Sequence, residues 1–586
     1  MPEVVEGFVS LIGGMKQDLD PVLLPNTQYA KGVNVTSRKG LIKTRPNFIE
    51  IPIVGMPTGK FQGAAVYHLE DADRIVFAVA GHIWGINLST MTIIDYSIQC
   101  GNLSATVDRM YFCQPDKYFV VQDGVTCPLV LDTETARLAD QANSEVPTGT
   151  VMAYGHGRLF IVISKLNGAD VGRRFFVAGD IIYPTATARV LKFTETDYLS
   201  GGGAFSLPNE LGFIESMDFI RNAQSGSGLG PLIVFAQKGC SAFNVNASRS
   251  TWQDIDISQV LFMGRQVGTF ATQGVVPVNS DLLYRSRDGI RTMGYSSAAT
   301  SGELGVLANN PISTEVEDEL AYDTDADMSM VSSAVFDNRV YITTRPEATA
   351  RGRYFKGLVV ADASPVAEGG RSAGVIWDGI WTGLRFLSVL VANYSGQEAL
   401  YSLAEGAGGL CRLFYLPDGS EYTDGGTSRP VARVYTRSYG FEGGNVGSIW
   451  KRFKWAEVSF SDIKGQMDAN VYFRPDGYPL WIPCTSGVCE ATMTAGGFPQ
   501  VRRRIRFTPV DGYADNSTGQ NPVFGLDFQF CIEITGHARL DKVRFIADDF
   551  RLDVNLGCLM SPIAVKLVAS SSTGVELDDF DYEVTP

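Results

Sequence analysis

Between Gln62 and Tyr415 one phrase keeps returning: an apolar run, a tight turn built on Gly, Asn or Asp, and a second apolar run. "RIVFAVAGHIWGIN" from Arg74, with a Gly-His turn, "DKYFVVQDGVTCPLVLDTET" from Asp116 and "PLIVFAQKGCSAFNVN" from Pro231 are three instances. "GRLFIVIS" with "RRFFVAGDIIY", then "DLLYRSRDGIRTM", "MVSSAVFDNRVYITTR" and "ALYSLAEGAGGLCRLFY", are four more. Each reads as a β-hairpin. The units recur every ~40–65 residues, near the spacing of propeller blades. A lone blade cannot bury both of its faces; blades set radially cover each other and leave only short edges. The expectation is an all-β chain in which 61–416 form a β-propeller of about seven blades.

The pattern changes after "PDGSEYTDGGTSRP", a polar, Gly-rich linker over 417–430. "VARVYTRSYGF", "WKRFKWAEVSFS", "ANVYFRPDGYPLW", "VRRRIRFTPV", "GLDFQFCIEITG" and "RLDKVRFIADDFRLDV" are longer and alternate strictly. Alternation leaves one face buried and one wet, which predicts a C-terminal β-sandwich-like domain over 431–560. Residues 561–586 form an acidic tail, and residues 1–60 an extended N-terminal arm with a hairpin.

Composition agrees: 62 Gly, 33 Phe and 23 Tyr with only 19% charged residues suit short strands and many turns. A net charge of −15 argues against wrapping nucleic acid, because phosphate contacts need Lys and Arg. No apolar run is long enough to span a membrane, and "MPEVVEGFVSLIGG" lacks the basic start of a secretory signal, so assembly in a cytoplasm is expected.

The search for chemistry ends without a catalytic constellation. His68, His82, His156 and His537 read as solvated or core histidines. Phosphate-binding, zinc-protease, EF-hand and nucleophile-elbow motifs do not occur, and "GSGLG" near Gly226 reads as a plain loop. "TETDY" from Thr194 and "YDTDADMS" from Tyr322 could bring paired carboxylates to a propeller mouth, but read as solvated loops. Nine scattered cysteines, including the "CTSGVC" pair Cys484 and Cys489, read as reduced thiols without a zinc site. No catalytic residue, metal or cofactor is expected. Arg502, Arg503, Arg504 and Arg506 form the strongest basic cluster; on a strand they alternate faces, which suits salt bridges between subunits better than a nucleic-acid groove.

The opening "GGMKQDLDPVLLPNTQYAKGVNVTSRKGLIKTRP" remains. Gly13 and Gly14 permit a sharp bend, Pro21 and Pro25 hold "PVLLP" extended, and "GVNVTSRKGLIKTRP" reads as a hairpin turning at Arg38-Lys39-Gly40 and stopping at Arg45-Pro46. Such an arm buries little of itself, so docking on the propeller or on a neighbouring subunit is expected.

This opening resembles that of the β-propeller nozzle, tail-tubular or stabilization proteins (head-to-tail connectors) of short-tailed double-stranded DNA bacteriophages. The resemblance rests on Gly13, Gly14, Asp20, Leu24, Pro25, Asn34, Val35, Gly40, Arg45 and Pro46, with weaker support from "IWKRFKWAEVSF" and "ITGHARLDKVRFIADDF". It implies a structural virion protein: a subunit of a homohexameric ring in the tail, below portal and adaptor proteins, with tail fibre, tailspike or needle proteins attached. DNA would pass through its channel without sequence-specific binding and without membrane insertion. The alternatives are a receptor- or glycan-binding propeller and a propeller glycoside hydrolase.

Overall fold

The computed structural model describes residues 3–549 apart from 142–143, 167–168, 171–172, 195–203, 222–227, 246–258, 266–267, 279–280, 294–310, 364–374, 395, 417–423, 425–428, 442–449, 492–501 and 511–522. The expected linker is thus described only at Asp424, Arg429 and Pro430, and the acidic tail lies outside the described residues.

Among the described residues the chain is all-β, with a propeller-like arrangement of five antiparallel sheets of three or four strands, a two-stranded hairpin of Lys165–Leu166 with Ala169–Asp170, and one large curled sheet. The five begin with the strands Phe61–Tyr67, Tyr111–Cys113, Gly149–Gly155, Ile214–Arg221 and Val275–Val278. Four of them have four strands and the last has three. Second strands such as Arg74–Val79 and Arg158–Ile163 are buried at every position, being covered on both faces. That explains their continuous rather than alternating apolar runs. Burying one such Ile, Phe or Val side chain fully is worth about 1.5–3 kcal/mol.

The turns form where the sequence predicts, with one shift. Asp337 and Asn338 carry φ of 51° and 56°, the paired left-handed geometry of a two-residue hairpin loop. In the first repeat the turn residues are Ala80 and Gly81, because Val79 pairs with His82. His82 therefore opens a strand instead of sitting in the turn.

Five free-standing blades replace the expected seven, for a definite reason. The strand Ile376–Tyr394 is 19 residues long and serves two repeats. Its first part pairs with Gly352–Asp362 and its second with Gln397–Glu405. The last two hairpins are thereby fused into the large sheet. The outermost strand beside Cys411–Leu416 is Ile49–Ile51, drawn from ahead of the first repeat.

The C-terminal strands, expected as a sandwich, form one sheet curled over itself. Lys451–Pro475 and Phe528–Asp549 pair along most of their lengths, with register shifts around Ser461, Lys464 and Asp468. Gly536 permits the bend: its φ is 109°, and a Cβ there would lie 2.5 Å from the Gln466 carbonyl oxygen. Aromatic residues of one strand consequently meet across the fold. Phe453 and Phe473 have ring centroids 4.8 Å apart, and Phe530 stacks on Phe545 at 3.7 Å. The curl supplies the facing layers that alternation predicts, without a second sheet.

The N-terminal arm does not project. Glu3–Phe8 pairs with Phe528–Asp549, and Lys31–Val33 pairs with Val431–Tyr439. The predicted hairpin forms between Val35–Thr36 and Ile42–Thr44, around a single turn at Arg38–Gly40. Tyr29 and Phe48 are fully buried. The arm is sewn into the large sheet at four places, so its side chains find a core that it could not build alone.

Candidate functional site

Asn34, Arg45 and Pro46 of the opening motif meet in a buried clamp. Asn34 holds a φ of 54°, a left-handed conformation that Asn tolerates better than most residues. Its side-chain amide donates to Thr382 Oγ1 (3.0 Å) and to the Val431 carbonyl (2.9 Å), and its Oδ1 accepts from the Thr382 amide (2.7 Å). The same oxygen accepts from Arg45 Nε at 2.9 Å. Arg45 is completely buried, and its two terminal nitrogens donate to Asp424 at 3.0 and 2.5 Å, to the Pro46 carbonyl and to the Thr382 carbonyl. Asp424 Oδ1 also accepts from the Phe48 amide (2.9 Å). A bidentate arginine with every nitrogen engaged is the arrangement in which a buried charge is tolerable.

The other motif residues shape the approach. Gly14 has a φ of 71°, and a Cβ there would meet Ile376 Cγ2 at 2.6 Å, so the bend at Gly13 and Gly14 lies tight against the Ile376–Tyr394 strand. Asp20 Oδ1 accepts from the Val22 amide, closing a turn, and Leu24 is buried before Pro25, whose carbonyl accepts from Gln28. The Val35 carbonyl accepts from the Trp381 indole nitrogen (2.8 Å). The Gly40 carbonyl accepts from the Ser10 hydroxyl and the Leu11 amide. Asn34, Val35, Arg45 and Pro46 belong to one cluster; Gly13, Gly14, Asp20, Leu24, Pro25 and Gly40 make separate contacts elsewhere along the arm.

Sequence reasoning missed Asp424, which lies in the expected linker and carries no local signal, and it missed Asp378. Asp378 is fully buried and accepts from the amide and hydroxyl of Ser37 (2.8 and 2.9 Å), with Arg339 at 3.7 Å. Burial raises its carboxyl above the usual range.

The basic cluster is placed elsewhere, on the strand Arg502–Phe507, which pairs with 456–461. Arg502, Arg504 and Arg506 share one face, and Arg503 lies on the other with Ile505 and the buried Phe507. Arg504 approaches Glu457 at 3.6 Å, and Arg506 lies over the Trp455 ring at 4.1 Å. All four arginines are exposed.

A polar cavity of about 250 Å³ opens between the innermost strands, lined by Ala64, Ser216, Asp218, Gln273, Ser332 and Val389 among others. At ~30 Å³ per water it holds about eight waters and is far too small for a duplex. Burial pushes the Asp218 carboxyl up to about 6. Elsewhere, Arg109 is buried with Nε and one Nη unpaired, and burial lowers its guanidinium to about 10.

The candidate acids are engaged in ion pairs. Asp323 contacts Arg285 (3.2 Å), Asp325 contacts Arg287 (3.0 Å) and Asp327 contacts Arg353 (2.8 Å). Of "TETDY" only Thr194 is described; its hydroxyl donates to Asp180. Burial raises the Cys484 and Cys489 thiols. Among the described residues no helix is long and apolar enough to cross a membrane.

No family model and no curated protein matches the chain. Among solved structures, the crystal structure of the computationally designed Ika8 protein is similar over 63% of this chain and 99% of its own, at 11% identity and a TM-score of 0.31, a likeness too weak to carry an argument.

Proposed function

We propose that the chain is a structural virion protein, a subunit of a ring-shaped tail nozzle or tube through which DNA leaves a short-tailed bacteriophage. The observation that carries this reading is the clamp. The opening motif behind the resemblance is spent on tying the arm to both halves of the large sheet through Asn34, Arg45 and Asp424. A motif used this way suits an assembly part that must hold its shape under load.

In this reading the two repeats fused into the large sheet are the sixth and seventh members of the propeller ring. Support comes from the cavity, where innermost strands of early and late repeats meet. Gln273 donates to the Ala64 carbonyl (2.7 Å), and the Ser332 hydroxyl donates to the Val389 carbonyl (3.1 Å). In this reading the exit path runs between subunits, six of them by the resemblance, and not through the propeller. Portal, adaptor and fibre proteins are its proposed neighbours and the virion tail its proposed location.

Negative-stain images of the purified full chain test the reading. Rings or tubes with a central hole are expected; folded monomers at every concentration would overturn it in favour of a receptor-binding or hydrolytic propeller.

A further inference from the structure

Part of the curled sheet ends in two edge strands of equal length, the second running on into residues 508–510, where the Thr508 carbonyl accepts from the Thr485 amide (2.8 Å) and the Pro483 carbonyl from the Val510 amide (3.3 Å). Glu3–Phe8 and Arg502–Phe507 have six residues each. Glu3–Phe8 pairs with residues 543–548, these pair with the start of Lys451–Pro475, and residues 456–461 of that strand pair with Arg502–Phe507. Every step is antiparallel. Among the described residues, neither outer strand pairs with a further strand on its far side. Beside Glu3–Phe8 runs a groove of about 340 Å³, walled by Asn26, Tyr439 and Arg544. Val5 and Val9 at this edge are 53% and 62% exposed.

Open edges template further pairing, so a soluble chain must either cover them or repel partners from them. The two edges here are opposite in charge, and within one copy Glu3 also pairs with Lys454 at 2.8 Å. One reads Glu-Val-Val-Glu-Gly-Phe and the other Arg-Arg-Arg-Ile-Arg-Phe. With four alternating strands, the first and last run in opposite directions. The last strand of a second copy, laid beside the first strand of this one, therefore continues the same antiparallel ladder. In the register that sets Glu3 opposite Arg506, Glu6 falls opposite Arg503, Val4 opposite Ile505, and Val5 opposite the aliphatic stem of Arg504. Residues directly opposite in an antiparallel pair share a face, and opposite charges there are favourable.

We propose that the Glu3–Phe8 edge of one copy pairs with the Arg502–Phe507 edge of the next, so that identical chains join head to tail through a continuous sheet. Such a contact is heterologous: each copy offers one edge and accepts the other, which generates a closed ring or an open helix and not a two-fold dimer. Backbone hydrogen bonds supply the adhesion, and the acid–arginine pairs fix the register. The inference rests on the reading of the chain as a ring subunit and names the surface that makes the ring.

The test uses the full chain. Val5→Cys and Arg504→Cys are introduced into separate chains, which are mixed and oxidised, with the unsubstituted chain as control. A cross-linked pair is expected from the mixture and from neither variant alone, and a ladder of cross-linked species from the doubly substituted chain. In parallel, Glu3→Arg with Glu6→Arg is expected to lower the assembled fraction at least tenfold in light scattering, with circular dichroism unchanged. Adding Arg503→Glu and Arg506→Glu to that chain is expected to restore assembly. Rings that form without the cross-link and ignore the charge reversals would overturn the edge pairing and leave the ring reading standing. A folded chain that stays monomeric at every concentration would overturn both.

Discussion

Arg45 and Asp424 are 379 positions apart in sequence and meet through two hydrogen bonds, at 3.0 and 2.5 Å, in a site closed to solvent. One lies in the opening arm and the other between the last repeat and the long C-terminal strands. Their pairing joins the two ends of the fold.

Breaking this pair on one side strands the other charge. Arg45→Ala or Asp424→Ala is expected to destabilise the protein by about 3–5 kcal/mol, and Arg45→Met with Asp424→Leu by clearly less, because no buried charge is then left alone. Urea denaturation of the three variants checks the order. Equal losses in all three would show that packing and not charge decides the cost.

Removal of residues 2–48 is expected to abolish cooperative folding of the large sheet. An arm that buries little of itself, as its sequence suggests, would be dispensable for folding. The structure argues the other way: Tyr29, Val35, Arg45 and Phe48 are buried, and the arm pairs with Val431–Tyr439 and Phe528–Asp549, late in the chain. Loss of the β circular dichroism signal and rapid proteolysis beyond residue 376 are the expected results; a fully folded truncated chain would contradict them.

Acid should weaken the fold through His537. Burial first, and then Lys43 and Lys464, hold its imidazole down to about 4, against an ordinary value near 6.5. The unfolded chain therefore binds the proton more readily. Stability falls as pH falls from about 6.5 towards 4, by up to ~3 kcal/mol for that separation. Asp218 acts in the opposite sense. Its carboxyl is raised to about 6 by burial, so its ionisation costs stability as pH climbs from about 4 to 6. His537→Asn should flatten the acid limb, and Asp218→Asn should raise stability at pH 7 by ~1–3 kcal/mol with the gain gone at pH 4. Melting temperatures of the two variants across pH 4–8 separate these contributions.

The assembled protein is expected to show no measurable affinity for free duplex DNA at roughly physiological salt. A net charge of −15 per chain repels phosphates over about one Debye length, ~8 Å. In the proposed pairing, the exposed arginines of Arg502–Phe507 are committed to the neighbouring copy. Anisotropy titration checks this, and tight, salt-sensitive binding would indicate a lumen that grips DNA.

Much of the architecture was legible because its signals are local. All seven predicted hairpins exist as paired strands, since turns such as Asp337-Asn338 and Asp288-Gly289 carry their own geometry. What was illegible is set by distance. Nothing around Ile376–Tyr394 announces that one strand serves two repeats; Gly379 and Gly383 sit at φ of 110° and 118° inside the strand. Asp424 looks like any acid in a polar linker until Arg45 is placed beside it. The motif residues of the arm could be picked out individually, but the meeting of Asn34 and Arg45 with Asp424 required the fold.

The strand Ile49–Ile51 completes the last repeat by lying beside Cys411–Leu416. In a growing chain its partner does not yet exist. At ~5–20 residues per second, translation of the intervening segment lasts roughly 20–70 s. Throughout that interval Ile49 and Ile51 form an unsatisfied sticky segment at the mouth of the ribosome. Glu50, which in the finished protein sits near Arg412 at 3.5 Å, places a charge in its middle. The same carboxylate that ends as a surface ion pair thus places a charge against premature pairing, and the pairing of Ile49–Ile51 with Cys411–Leu416 can form only after nearly three-quarters of the chain has left the tunnel.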